Sequence, residues 1–201
     1  MTKIKFCGLK TRADISFANE LLPEYVGFVF APKSKRYVTP AQVEKFRGAL
    51  SEKICVVGVF VNENFQTVAE LLSAGIIDAA QLHGSEDNDY IKNLRGVTKK
   101  IIIKAFQIKT ANEIAAVEKS FADFVLIDAG AGDGKVFDWN LVKNLRREYF
   151  LAGGLTPENV GDAIRILNPF AVDVSSGIET DGKKDFNKMV AFAKAVRKDF
   201  L

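Results

Sequence analysis

The stretch ICVVGVFVNENFQTVAELLSAGIIDAAQLHG, residues 54–84, contains the repeating unit that decides the fold. It begins with the apolar run ICVVGVF and ends with DAAQLH, and each is short and bounded by polar or glycine-containing residues, as is typical of strands in a buried parallel sheet. Between them, apolar residues recur at helical spacing, at Phe65, Val68, Leu71 and Leu72. Gly75 then follows as a helix stop signal. The stretch is therefore predicted to form a strand, an amphipathic helix and a second strand.

Six other segments of the chain have the same character as these two strands. They are KIKFC (3–7), YVGFVF (25–30), KIIIKAF (100–106), DFVLID (123–128), YFLAGG (149–154) and AVDVSSG (171–177). Strand starts recur every 22 to 29 residues, which suits one strand, one loop and one helix per unit. Eight such units predict an α/β protein that forms a single-domain (β/α)8 TIM barrel over residues 1–201. A doubly wound open sheet is the alternative, but it usually has fewer strands, and no GxGxxG motif follows the first strand.

The composition excludes several classes of protein. With 48% apolar residues, 26% charged residues and only 5 prolines in 201 residues, the chain is neither collagen-like nor disordered. No apolar run approaches the roughly 18 to 20 residues that cross a bilayer. The first residues, MTKIKFCGLKTRAD, lack the apolar segment of a signal peptide, and two cysteines do not make a disulfide framework. We therefore expect a soluble, cytoplasmic protein with no membrane partner.

The charged residues favour a small anionic ligand. A net charge of +3 comes from 28 basic and 25 acidic residues, and the basic residues form short clusters rather than the long stripe of a nucleic-acid-binding protein. This mild positive bias fits an anionic small substrate, and no nucleic-acid partner is expected. The chain has one histidine, His83, and no CxxC pair, which argues against a metal site.

Three reactive side chains fall at the C-terminal ends of the predicted strands, where (β/α)8 barrels carry out their chemistry. Cys7 ends the first strand and is either a small buried hydrophobe or a thiolate base or nucleophile. Asp128 closes an apolar run and is either an acid or a cap for the glycine-rich loop that follows. Asp173 alternates with valines, so it is predicted to point into the barrel, where it binds a hydroxyl or satisfies the loop. Cys55 begins the third strand at the opposite end and is predicted to be core.

Polar loops complete the same end of the predicted barrel. Barrels commonly bind phosphate through backbone N–H groups after strands seven and eight, which here carry Gly153, Gly154, Ser176 and Gly177. Structural turns are the alternative for these four residues. Arg36, in a basic loop, is either a solvated charge or a guanidinium fork for a substrate carboxylate. His83, two residues after Gln81, is a base, a ring-stacking partner or an ordinary loop histidine, and the sequence shows no partner for it.

Taken in order, these segments resemble the phosphoribosylanthranilate isomerase family of tryptophan biosynthesis over essentially the whole chain. The matching stretches are KFCGL (5–9), GFVF (27–30), SKRY (34–37), VGVFVN (57–62), QLHG (81–84), Asp128, FDW (137–139), LAGGL (151–155), NV (159–160) and DVSSGIE (173–179). The resemblance implies an isomerase of the aldose–ketose type that needs no cofactor and no metal. Its reaction would be an Amadori rearrangement, which converts N-(5′-phosphoribosyl)anthranilate to 1-(2-carboxyphenylamino)-1-deoxyribulose 5-phosphate.

The resemblance also implies a role for each residue at the strand ends. Asp128 is expected to be the general acid that protonates the furanose ring oxygen, and Cys7 the general base that takes the C2′ proton. The expected substrate-binding residues are Arg36 for the anthranilate carboxylate, Asp173 for a sugar hydroxyl, and Gln81 and His83 for the anthranilate ring. The phosphate is expected on the backbone of Gly153, Gly154, Ser176 and Gly177. The partner is thus a small phosphosugar, and the protein is expected to be a monomer or homodimer.

One loop departs from the family pattern. The family has a longer loop after Asp128 that ends in Gly-Gly-(Ser/Thr)-Gly, whereas residues 129–136 are short and carry Ala131 and Asp133 there. Such a loop is a natural lid, so we expect its shortening to affect closure and product release rather than the chemistry.

Two rival functions are less well supported by the sequence. The histidine-pathway isomerase performs the same rearrangement on a different substrate, but that family looks to use two aspartates, one of them where Cys7 stands here. A non-catalytic phosphosugar-binding barrel has no use for both Cys7 and Asp128.

Overall fold

Eight parallel strands form a closed barrel in the computed structural model, and they follow one another in chain order. The structure describes residues 1–108, 111–128, 142–143 and 145–197, and for residues 111–112 only the backbone. The strands are β1 (Lys3–Cys7), β2 (Tyr25–Val29), β3 (Cys55–Phe60), β4 (Ala79–Leu82), β5 (Ile101–Gln107), β6 (Phe124–Asp128), β7 (Tyr149–Ala152) and β8 (Ala171–Val174). Pairing of β8 with β1 closes the barrel, and the predicted (β/α)8 fold is confirmed.

A helix follows seven of the eight strands in the described part of the chain. They are α1 (Arg12–Leu21), α2 (Pro40–Arg47), α3 (Phe65–Ser73), α4 (Asn88–Val97), α5 (Ala111–Glu118), α6 (Val160–Leu167) and α7 (Phe186–Arg197). Gly75, the predicted stop, has a φ of +70° just after α3, a conformation that glycine adopts readily at helix ends. Most of the connection from β6 to β7 lies outside the described residues. None of the helices in the described part of the chain is long and apolar enough to span a membrane.

Two strands end two or more residues earlier than the sequence pattern predicts. β7 ends at Ala152 and β8 at Val174, whereas the predicted segments continue to residues 154 and 177. Gly153 and Gly154 have φ values of +89° and +67°, and this left-handed backbone cannot continue a strand. After β8 the chain forms a short turn of 3-10 helix, Ser176–Ile178. Both segments therefore leave the sheet and become loops at its C-terminal end.

Side chains alternate along the strands between the barrel interior and the layer beneath the helices. At the N-terminal ends of the strands, which we call the base, the rings of Tyr25, Phe124, Phe150 and Phe170 pack with centroids 4.6 to 5.8 Å apart. Cys55 starts β3 at this end and packs against the same cluster, half-buried, as predicted for a core position. At the C-terminal ends, which we call the rim, the interior positions include the buried polar side chains Lys5, Gln81 and Asp173. The barrel is therefore apolar at its base and polar at its rim.

A small hairpin follows β8 and was not predicted from the sequence. Strands β9 (Glu179–Thr180) and β10 (Lys183–Lys184) pair antiparallel, with Glu179 opposite Lys184. Asp181 and Gly182 connect them with φ values of +52° and +72°. Positive φ at both central residues is the backbone of a type I′ turn, for which Asp-Gly is a strongly preferred sequence. The hairpin places two opposite charges side by side next to the rim.

Candidate active site

A cavity of about 360 Å³ opens at the rim. All ten predicted site residues line it, namely Cys7, Arg36, Gln81, His83, Asp128, Gly153, Gly154, Asp173, Ser176 and Gly177. Parallel strands of a closed barrel end on the same side, so residues far apart in the sequence meet there. Because they share one cavity, these residues can act together on one small molecule.

A larger cavity, of about 520 Å³, lies at the opposite end of the barrel. It is lined by the chain start at Met1–Lys3, by residues 145–149 before and at the start of β7, and by residues 167–170 before β8. None of the predicted site residues reaches it. In barrel enzymes this end serves stability rather than chemistry, so the smaller cavity at the rim is the candidate active site.

Cys7 lies beside a buried ion pair inside the barrel. Lys5 Nζ donates a hydrogen bond to Asp173 Oδ1 at 2.9 Å, and the two side chains are 0% and 7% exposed. The inward orientation predicted for Asp173 is therefore confirmed. A Cβ on Gly27 would lie 2.7 Å from Cys7 Sγ and 3.2 Å from Lys5 Nζ, so the thiol and the ammonium group share one small space. Only a glycine at position 27 leaves them room.

The charges around Cys7 act on its proton in opposite directions. Burial raises the pKa of the Cys7 thiol above its ordinary value, and the nearby Asp173 carboxylate adds to that rise. The positive charges of Lys5 and Lys184 oppose it. For Lys5, burial works to lower the pKa, but Asp173 and Cys7 outweigh burial and raise it. The site therefore holds a protonated thiol at neutral pH, next to a cation that would stabilise its thiolate.

Asp128 is in contact with His83, for which the sequence showed no partner. His83 Nε2 lies 3.4 Å from Asp128 Oδ2, and Gln81 Nε2 lies 2.9 Å from His83 Nδ1. With Gln81 donating to Nδ1, the neutral ring carries its proton on Nε2, which faces the Asp128 carboxylate. The side chains of His83 and Asp128 are 30% and 21% exposed, so both remain accessible from the cavity. The three residues form a chain that leads from the buried β4 to the end of β6.

Arg36 forms a two-pronged ion pair that the sequence analysis missed. Its Nε and Nη2 groups donate to the two carboxylate oxygens of Glu179, each at 2.7 Å. Lys184 Nζ also donates to Glu179 Oε1 at 2.7 Å, and to the backbone carbonyl of Ser175 at 3.0 Å. Burial acts to raise the pKa of Glu179, but the hydrogen bonds from Arg36 and Lys184 lower it to about 2. Glu179 is therefore ionised throughout the range in which the protein is expected to work.

The two glycine-bearing loops are built against each other. A Cβ on Gly177 would lie 1.9 Å from the carbonyl oxygen of Leu155, so a glycine is required where the loop after β8 meets the loop after β7. Asn159, just before α6, holds the loop after β7, because its side chain accepts from Thr156 N and donates to Gly154 O. Neighbouring backbone N–H groups in left-handed and turn conformations form concave sites that suit anions. The position and backbone shape of both loops fit the predicted phosphate site.

A second buried ion pair supports the His83 loop. Lys104 Nζ donates to Glu86 Oε2 at 3.1 Å and to the carbonyl of Gly84 at 2.7 Å. Glu86 in turn accepts from the backbone N–H groups of Asn62 and Gly84. The sequence carries one signal of this arrangement, because Lys104 interrupts the apolar run of the fifth strand. A lysine inside such a run needs a buried partner.

No metal site is found among the residues that the structure describes, since none of their His, Cys, Asp and Glu side chains form a group of three or more that could hold an ion. The shortened loop at 129–136, with Ala131 and Asp133, and the FDW stretch at 137–139 lie outside the described residues. The expectation that the short loop alters closure therefore stays a prediction.

The fold and the rim cavity together define a (β/α)8-barrel protein of the kind whose enzymes carry out their chemistry at the C-terminal ends of the strands. A model of the N-(5′-phosphoribosyl)anthranilate (PRA) isomerase family matches residues 4–195. The N-(5′-phosphoribosyl)anthranilate isomerase of Endomicrobium trichonymphae is 44% identical over 202 residues, which cover 98% of this chain and 99% of that protein. The chain belongs to the PRA isomerase family, whose members are enzymes of tryptophan biosynthesis.

Solved structures agree with this assignment. The crystal structure of phosphoribosyl anthranilate isomerase from Thermotoga maritima superposes with a TM-score of 0.90 at 35% identity, covering 98% of this chain and all of that one (100%). A second crystal structure, of a phosphoribosyl anthranilate isomerase, superposes with a TM-score of 0.87 at 35% identity and equal coverage (98% and 100%). That protein is in complex with reduced 1-(o-carboxyphenylamino)-1-deoxyribulose 5-phosphate. The protein is accordingly an isomerase with the barrel fold of this family.

Proposed function

We propose that the rim cavity converts N-(5′-phosphoribosyl)anthranilate to 1-(2-carboxyphenylamino)-1-deoxyribulose 5-phosphate, with Asp128 as general acid and Cys7 as general base. The observation that carries the proposal is that one cavity of about 360 Å³ contains both side chains together with Arg36 and the two glycine-bearing loops. An acid, a base, a carboxylate-binding cation and a phosphate cradle are the four parts that this substrate needs.

Asp128 starts the reaction by giving its proton to the ring oxygen of the sugar. The C1′–O bond breaks as the nitrogen lone pair forms a C=N bond, and the open chain is a protonated Schiff base. His83 supports this role by orienting the carboxyl group, because its Nε2 lies 3.4 Å from Asp128 Oδ2.

Cys7 completes the rearrangement by taking the C2′ proton. The positive Schiff base acidifies this C–H bond, and its electrons form the enolamine, with C1′ joined to C2′ by a double bond. Protonation at C1′ and loss of the C2′ hydroxyl proton then give the ketone. Cys7 acts in its thiolate form. Burial raises the pKa of Cys7, and the Lys5 ammonium group opposes that rise by stabilising the thiolate.

Binding residues surround this acid–base pair. Arg36 is placed to receive the anthranilate carboxylate, since its side chain lines the cavity. Asp173 is the proposed partner of a sugar hydroxyl, although one of its carboxylate oxygens already accepts from Lys5. Gln81 and His83 border the aromatic ring. Gln81 Oε1 is buried without a hydrogen-bond partner in the described part of the chain, and the anilino N–H of the substrate can satisfy it.

The phosphate is proposed to bind between the loops after β7 and β8, on the backbone of Gly153, Gly154, Ser176 and Gly177. These loops contact each other at Gly177 and Leu155, so an anion bound between them would meet backbone from both loops. Binding energy from a phosphate remote from the reacting carbons helps to hold the sugar in a reactive position.

The test is the turnover of substrate formed in situ, followed by the change in anthranilate fluorescence. We expect Cys7→Ser and Asp128→Asn to lower kcat by about 10²- to 10⁴-fold, the usual contribution of a positioned acid or base. Cys55→Ser is the matched control, because Cys55 starts β3 at the base, and it should keep the wild-type rate. Retention of most activity by either rim variant would contradict its assigned role.

The domain organisation, location, assembly and cofactor requirement that we propose are those expected from the sequence. Residues 1–201 are proposed to be one barrel domain that works in the cytoplasm as a monomer or homodimer, with no cofactor. Static light scattering of the purified chain distinguishes the two assemblies.

Restoring a longer glycine-rich loop after Asp128 should change the steady-state constants if the short loop controls closure, and unchanged constants would dispose of that idea.

A further inference from the structure

We infer that Glu179, on the hairpin formed by β9 and β10, is the positioning residue that makes Arg36 selective for a substrate carboxylate. The inference deepens the proposed function and rests on it. The hairpin itself lies outside the barrel sheet, and its Glu179 side chain reaches back to the guanidinium group at the rim.

The bond pattern between the two side chains fixes the orientation of the guanidinium plane. Glu179 accepts from Nε and from Nη2 of Arg36 at 2.7 Å each, so it occupies one edge of the fork. The guanidinium group has five N–H donors, and the opposite edge presents those of Nη1 together with the second hydrogen of Nη2. This opposite edge is the geometry that a second carboxylate needs for a bidentate contact. A single bidentate partner on one edge therefore presets the other edge.

Two further features restrict Arg36 to this position. Its stem crosses the backbone of Gly8, where φ is +78° and a Cβ would lie 2.3 Å from Arg36 Cδ. The side-chain hydroxyl of Ser34 accepts from the backbone N–H of Arg36 at 3.1 Å, which fixes the loop that carries it. Both contacts reduce the freedom that a long arginine side chain would otherwise lose on binding substrate.

The hairpin adds a second cation beside Glu179, so the Glu179 carboxylate does not fully neutralise the positive charge of Arg36. Lys184 faces Glu179 across the hairpin and donates to it at 2.7 Å, and the side chains of Lys184 and Glu179 are 1% and 9% exposed. Glu179 thus has two cations for one negative charge, so the cluster of Arg36, Lys184 and Glu179 keeps a net positive charge at the cavity. A net positive cluster attracts an anionic group, whereas an isolated Arg36–Glu179 pair would be neutral.

The test compares two substrates that differ only in the carboxylate. Ribose 5-phosphate is mixed with anthranilate or with aniline, and the rearrangement of each phosphoribosyl adduct is followed with wild type and Glu179→Gln. For the anthranilate adduct, we expect kcat/KM to fall about 10- to 100-fold in Glu179→Gln, mainly through KM, because a charged hydrogen-bonded contact is misplaced. For the aniline adduct, kcat/KM of the same variant should stay within about twofold of wild type, because this adduct has no carboxylate for Arg36 to bind.

A second variant and a control keep the result interpretable. Glu179→Asp keeps the negative charge but is one methylene shorter, so it should lose the same selectivity if position rather than charge is decisive. Lys183→Met, on the exposed side of the same hairpin, should behave as wild type with both adducts. In calorimetry, reduced 1-(o-carboxyphenylamino)-1-deoxyribulose 5-phosphate should bind Glu179→Gln more weakly than wild type. Inorganic phosphate should bind the variant and the wild type equally well.

Three outcomes would overturn the inference. An equal loss with both adducts would show that Glu179 supports the fold of the rim in general. Unchanged kinetics with both would show that Arg36 needs no positioning. Failure of the wild-type protein to rearrange the anthranilate adduct would overturn the proposed function itself, and the inference with it.

Discussion

The two ends of the barrel bury different kinds of side chain. At the base, Phe150 is fully buried among other rings, and ion pairs such as Arg47–Asp78 lie near the surface, with the two side chains 33% and 25% exposed. At the rim, three ion pairs among the described residues are buried, and no side chain in them is more than 9% exposed. These rim pairs are Lys5–Asp173, Lys104–Glu86 and Lys184–Glu179.

This difference separates the source of stability from the source of function. Burying aromatic and aliphatic surface stabilises a fold by roughly 25 cal/mol for each Å² removed from water. Burying an ion pair gains little, because the loss of hydration offsets the attraction between the charges. A barrel that keeps three such pairs at one end therefore has them for another reason. Each is next to a proposed site residue, namely Cys7, His83 or Arg36.

The largest effect is expected at the base. Phe150→Ala removes a fully buried ring that contacts Tyr25, Phe124 and Phe170, and should lower the free energy of unfolding by about 3 to 5 kcal/mol. In conditions where the variant is folded, kcat/KM should stay near the wild-type value. Phe121→Ala is the control, because this ring is 54% exposed, and its unfolding in urea should match wild type closely. Loss of activity in folded Phe150→Ala would break the separation of the two ends.

A smaller effect, on thiol reactivity, sharpens the comparison. Burial raises the pKa of Cys7 at the rim, and it raises that of Cys55 at the base to about 11. The thiolate is the reactive form, so alkylation by iodoacetamide should be slow at pH 7 and rise about tenfold per pH unit, without a plateau up to pH 9. Reduced 1-(o-carboxyphenylamino)-1-deoxyribulose 5-phosphate should protect Cys7 but not Cys55. A plateau below pH 8 for Cys7 would contradict the direction of its pKa shift.

The smallest effect is expected for an exposed pair at the base. Arg47→Ala removes the partner of Asp78, and because both side chains are partly hydrated the unfolding free energy should change by about 0 to 1 kcal/mol. Urea unfolding measures this directly. A loss above about 2 kcal/mol would show that charges at the base matter as much as those at the rim.

The strands and the site residues were predictable because both follow from local patterns. Short apolar runs at regular spacing define eight strands, and in a barrel the residues after those runs must meet at one end. The ends of β7 and β8 were less predictable, since an apolar pattern continues into Gly153 and Gly154 although their backbone has left the sheet.

The charge partners could not be predicted because they are far apart in the sequence. Lys5 and Asp173 are 168 residues apart, and Arg36 and Glu179 are 143 apart, so no local pattern connects them. Two weaker signals were available. Lysines inside apolar strands, such as Lys5, indicate buried partners, and the Asp-Gly pair at 181–182 indicates a hairpin turn. Neither signal identifies which residue the charge will meet.

The most direct test of the separation between the two ends is the urea unfolding free energy of Lys5→Met combined with Asp173→Leu. If the buried charges serve the site, Lys5→Met alone should lose about 3 to 5 kcal/mol by leaving Asp173 unpaired, whereas the double variant should be within about 1 kcal/mol of wild type or above it. The double variant should also have lost turnover. A double variant as unstable as the single one would show that this pair holds the fold together, and would contradict the account.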